Sequence, residues 1–234
     1  MRERLFDVLC GLMIVAGSVL FLNGGRQHPA TDPRLGPMGS ESYFRAFAEV
    51  IIADHHWESM HGQILVGPIL WALGAVALRK RLRPDDSSWH DVAVVALTTG
   101  AAAWVLAFVF DGFVAPAVAA AVLERPIGQP LSFLELRANQ LVVIRSGLIG
   151  WVLIGAGIAA LSVAMLTRDR LLLTGLGLVG LAIGLWPIAA WWAGSFAPGP
   201  FVSPLWRTTA LVTAAWFALA GATLFAPPKL RVSL

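Results

Sequence analysis

With 234 residues, 57% of them hydrophobic and only 13% charged, and a mean hydropathy of +0.73, the chain is not an ordinary soluble domain, in which about a quarter of residues carry charge. A helical span needs roughly 20 apolar residues, so this length accommodates about six spans and no separate soluble domain. The net charge of +3 and pI of 9.7 would suggest nucleic acid for a soluble protein; in a membrane protein the placement of the bases matters more, and no nucleic-acid partner is expected.

The first apolar run, Leu5 to Leu22, follows a short basic start and resembles a signal peptide in outline. No A-x-A cleavage site follows it, and it is long enough to span, so it is expected to be the first helix. The single cysteine, Cys10, lies inside this run, which excludes an internal disulfide and a thiolate metal site. The second span is expected at 62–78, before the bases Arg79, Lys80, Arg81 and Arg83. The third block, Val92 to Leu123, would be roughly 48 Å long as one straight helix, more than a bilayer core of about 30 Å. It must tilt, protrude or break. Asp111-Gly112 and Pro116 mark the place, because proline lacks a backbone donor and crowds the carbonyl of Gly112. The expected spans are therefore 5–22, 62–78, 92–113 with a broken extension to 123, 141–166, 171–193 and 205–225.

The short turn Thr167 to Arg170 makes spans four and five antiparallel neighbours, and both carry glycines, including a G-x-x-x-G at Gly180 and Gly184. Close packing within the chain is expected there, ahead of a homodimer. Lys and Arg concentrate at one set of span ends (Arg2, Arg4, Arg79 to Arg83, Arg168, Arg170, Lys229, Arg231), which places both termini in the cytoplasm. No internal repeat is visible, which weighs against transporter folds built from duplicated halves. The expected fold is an all-α, single-domain, multi-pass bundle in the cell membrane, in contact with membrane lipids.

Outside the membrane, residues 23–39 read as an irregular loop. Ser40 or Ser42 then suits a helix start, and Tyr43, Phe44, Phe47, Val50 and Ile51 recur at helical spacing. This predicts an amphipathic extracytoplasmic helix between spans one and two, acting as a lid over the bundle. The stretch Asp54 to Gln63 follows, dense in ionisable groups. If it is helical, about 100° per residue puts Asp54, Glu58 and His61 on one stripe. Two carboxylates and an imidazole suit a divalent metal, and Glu58-x-x-His61 has the spacing of bundle metal sites. A single E-x-x-H is a weak motif, however, so the metal is not favoured over metal-free acid/base chemistry by the same groups. A boundary role is the plainer alternative, with Asp54 as an N-cap and His61 beside Trp57 in the interfacial belt.

Within the spans, His61 and Asp111 lie roughly 25 and 28 Å from the cytoplasmic ends of their helices. Arg145 and Arg207 enter from the outer side, so the polar groups share one level. Charges in a span cost at least ~2.5–3.5 kcal/mol each and tend to face inward and pair. Asp111 with Arg145 is the expected pair, with Arg207 as competitor. The 10 tryptophans include Trp186, Trp191, Trp192 and Trp206 near the loop 194–204; they are read as interfacial anchors, or alternatively as the lining of a pocket for a hydrophobic or cationic small molecule.

Two functions remain open. One is a membrane-embedded enzyme in which Glu58, His61, Asp111 and Arg145 line an outer-leaflet cavity and do acid/base chemistry on a lipid-like or isoprenoid substrate. The other is a non-catalytic accessory subunit of a membrane protein partner, or a small-solute carrier; the apolar inner half supplies no polar path for a carrier.

Overall fold

Long apolar stretches with few helix breakers can satisfy their backbone in lipid only as helices, and the computed structural model is all-helical. It describes residues 2–29, 40–82, 88–126, 133–167, 171–196 and 202–226. The helices are α1 (Arg2–Gln27), α2 (Glu41–Ala53), α3 (Trp57–Leu82), α4 (Trp89–Val109), α5 (Ala115–Glu124), α6 (Leu134–Leu166), α7 (Leu171–Phe196) and α8 (Val202–Ala222). Among the described residues, six helices are long and apolar enough to cross a membrane. The neighbour order closes a ring: α1 on α3, α3 on α4, α4 on α6, α6 on α7, α7 on α8, and α8 back on α1.

The ring is filled by aromatic side chains. Phe21 of α1 meets Trp71 of α3 at 4.9 Å and Trp104 of α4 at 5.9 Å between ring centroids, Trp104 meets Trp151 of α6 at 4.7 Å, and Trp71 stacks on Phe217 of α8 at 4.5 Å. The Trp71 indole donates to Ser18 Oγ at 3.0 Å, which satisfies its N–H inside the bundle. At one end, the Arg4 guanidinium donates to the carbonyls of Leu224, Phe225 and Ala226, tying the start of α1 to the end of the α8 segment. Arg79 pairs there with Asp91, and Lys80 with Glu3. The opposite end carries α2 and is called the lid end below.

The over-long third block runs as continuous helix from Trp89 to Glu124, with one irregular turn, not a break, at the expected place. After Val109 the helix widens into one π-helical turn, Phe110–Val114, and continues as α5 with Pro116 in its first turn. The missing proline donor falls directly after the π-helical turn, where the hydrogen-bond register changes. α5 projects beyond the ring, and α2 packs along it. Ser40 is the N-cap of α2, its Oγ accepting from Tyr43 N at 3.1 Å, and Tyr43, Phe44, Ala48 and Ile51 form the buried face. Burial pushes the Tyr43 phenol up from its ordinary range. Arg45 fastens this lid: its guanidinium donates to the carbonyls of Val122 at 3.3 Å and Arg125 at 3.1 Å, the negative end of α5. Arg45→Ala is expected to weaken the docking of α2 by about 1.5–3 kcal/mol, the range for hydrogen bonds from charged groups. Hydrogen exchange would show faster exchange across Glu41–Ala53 while α1 and α3 keep their protection.

Several boundaries differ from the sequence expectation. α6 begins at Leu134, not 141, and α3 begins at Trp57, not 62. Helices extend past the bilayer into polar sequence, so apolar content alone places their ends too deep. The G-x-x-x-G does pack within the chain: the Gly184 and Gly155 backbones touch where α7 crosses α6. The turn 168–170 lies outside the described residues, as do 197–201 and the side chains of Trp191, Trp192, Trp206 and Arg207. The Trp186 indole, which is described, donates to Thr209 Oγ1 at 2.9 Å.

Candidate functional site

The lid end holds one buried polar cluster. On α3, Trp57, Met60, His61 and Ile64 form the inward face at helical spacing, and His61 is completely buried. On the π-helical turn, Asp111 and Gly112 face the same point. The His61 Nε2 and an Asp111 carboxylate oxygen stand 3.3 Å apart. This approach depends on Gly112, since a Cβ there would collide with the Cβ of His61.

Each group is held from behind. The His61 Nδ1 lies 2.6 Å from the Trp57 carbonyl. A carbonyl oxygen can only accept, so Nδ1 carries a proton and Nε2 is the nitrogen that faces the carboxylate. The Gln140 amide donates to the other Asp111 carboxylate oxygen at 3.2 Å. Side chains add hydrogen bonds to the π-helical turn: the Trp57 indole donates to the Asp111 carbonyl at 2.7 Å, and the Asn139 amide donates at 3.2 Å to the Phe110 carbonyl, which also accepts from Ala115 N. His28, just beyond α1, is partly exposed and stacks edge-on to the His61 ring at 5.1 Å. Its Nδ1 lies 3.0 Å from the Pro29 carbonyl. His28, His61 and Asp111 each offer a ligand atom, all within 4.8 Å of one another.

Of the residues read from sequence, His61 and Asp111 come together, and Glu58 and Arg145 do not join them. Glu58 is exposed. The helix stripe expected for Asp54, Glu58 and His61 is interrupted, because α2 ends at Ala53 and Asp54 is extended. Asp54 starts α3 instead: its side chain accepts from His56 N at 2.9 Å and its carbonyl from Trp57 N at 3.0 Å. The expected pairing of Asp111 with Arg145 is replaced by His61 and Gln140. Arg145 is exposed and makes no ion pair among the described residues; it lies five residues past Gln140, about 140° further round α6. His28, Gln140 and Asn139 were not singled out from sequence. All three sit in segments read as loops, and nothing local marks them; the usable signal was that these loops adjoin span ends at the level of His61 and Asp111.

A groove of about 650 Å³ between α7 and α8, lined by apolar residues such as Leu176, Val179 and Trp216, shares no residue with this cluster. Comparison with protein-family models, curated proteins and solved structures found no match.

Proposed function

We propose that this chain is a membrane-embedded enzyme that works at the lid end of the bundle, the outer face by the Lys/Arg distribution, on a lipid-like substrate. The observation that carries the reading is the His61–Asp111 pair, buried on backbone that departs from the α-helix. Such a pair is a costly way to hold helices together, since apolar packing of the same volume is often as stable or more so. Ionisable groups inside a span mark functional sites by default, and π-helical turns recur at them. The aromatic filling of the ring beneath the site supports one-sided access and speaks against a carrier. The burial of His61 and Asp111 inside the bundle speaks against an accessory subunit that would use them for docking.

The test compares lipid extracts of cells expressing the intact chain with those expressing Asp111→Asn or His61→Gln, each variant checked for monodisperse elution in detergent. One lipid class is expected to differ between wild type and both variants, while Glu58→Gln and Arg145→Gln keep the wild-type pattern. Identical extracts from wild type and Asp111→Asn would sink the enzymatic reading.

A further inference from the structure

We infer that His28, His61 and Asp111 form a binding site for one divalent first-row transition ion, a proposal that rests on the site assigned above and gives it a cofactor. With Nδ1 on the Trp57 carbonyl, His61 turns its Nε2 to an Asp111 carboxylate oxygen at 3.3 Å. A proton shared along the line of centres would give an aligned hydrogen bond, yet the buried Nε2 has no such bond. An ion fits better. Ligand atoms about 2.0–2.2 Å from a tetrahedral centre lie roughly 3.4 Å from one another, with their lone pairs aimed at the ion and not at each other.

His28 supplies the third donor. Its ligand atom lies within 4.8 Å of those of His61 and Asp111, while its Nδ1 faces the Pro29 carbonyl at 3.0 Å. The supporting contacts match those of metal centres, where a ligand imidazole donates its other N–H to a carbonyl and a ligand carboxylate is itself hydrogen-bonded. Trp57 and Gln140 play these two parts. Two nitrogens and one oxygen suit zinc or ferrous iron, whereas calcium and magnesium favour all-oxygen sets. Three protein ligands leave a coordination position for water or substrate, as in catalytic centres. The ligand set differs from the Asp54, Glu58 and His61 stripe, sharing only His61.

The experiment uses the intact chain in detergent, stripped with a chelator and titrated with Zn²⁺ by calorimetry and with Co²⁺ by visible absorption. One equivalent is expected to bind, with d–d bands from a nitrogen and oxygen set. His61→Gln and His28→Gln should abolish saturable binding, and Gln140→Leu should weaken it by roughly 10–100-fold. Asp54→Asn and Glu58→Gln should bind as wild type. Because His28 lies at the rim, His28→Gln keeps the fold, and its thermal midpoint should lose the rise that Zn²⁺ gives the wild type. Substoichiometric binding by the wild type, full binding by His28→Gln and His61→Gln, or equal competition by Mg²⁺ would each overturn the proposal. If an ion binds but lipid extracts do not change with Asp111→Asn, the metal site stands and the enzymatic reading fails; changed extracts without ion binding give the reverse.

Discussion

Gly112→Ala is expected to destabilise the bundle by about 1–3 kcal/mol, the usual cost of forcing an extra carbon into a packed interior, and to separate His61 from Asp111. The added Cβ would fall on the His61 Cβ, a branch point fixed to the α3 backbone that no rotamer change can move. α3 cannot retreat easily either, because the Trp57 indole holds the Asp111 carbonyl at 2.7 Å. The strain therefore goes into the cluster itself. Gly62→Ala, on the same stretch of α3, is the control: its Cβ would meet only Phe113 Cζ at 3.8 Å, an ordinary contact. There the helix should gain about 0.5–1 kcal/mol from the loss of glycine's backbone freedom. Denaturation in mixed micelles would report both midpoints. A Gly112→Ala chain as stable as Gly62→Ala would show that the turn and α3 are not in the contact described.

The spans were legible because twenty apolar residues in lipid leave the backbone one choice. The irregular third span was legible for a related reason: its length exceeded the bilayer, and Pro116 limited where the excess could be absorbed. Ser40 and the apolar stripe of α2 were readable as local chemistry. The partner of Asp111 was not. Counting residues from a span end gives depth but not direction around the bundle, and Arg145 lies at a suitable depth on an outward face. His61 was assigned to the right level, but its companions Asp54 and Glu58 depended on a helix running unbroken through Asp54, where the chain turns. Gln140 and Asn139 sit on a helix that outlasts the membrane, in a segment whose polarity resembles a loop. His28 approaches His61 only because α1 and α3 pack side by side, a tertiary fact that no local pattern carries.

Gly184→Leu should have the larger effect, a loss of about 3 kcal/mol or more, beyond the usual overpacking range because the obstacle is backbone. A Cβ at Gly184 would stand 2.5 Å from the Gly155 carbonyl oxygen and 2.7 Å from Ala159 N; Gly155 meets the Gly184 carbonyl in return. Neither helix can absorb a side chain there by changing a rotamer, so α6 and α7 must move apart. In lipid such a gap is serious, because helix association there depends on close van der Waals packing and gains little from the hydrophobic effect. α6 also carries Gln140 and Asn139 to the polar cluster, so its displacement should reach the lid end. Gly175→Ala separates packing from helix propensity, since nothing lies within 4 Å of the added carbon. That variant should equal or exceed wild type by up to about 1 kcal/mol. Unfolding in rising SDS would compare the two, and a Gly184→Leu midpoint matching Gly175→Ala would show that α6 and α7 do not depend on this crossing.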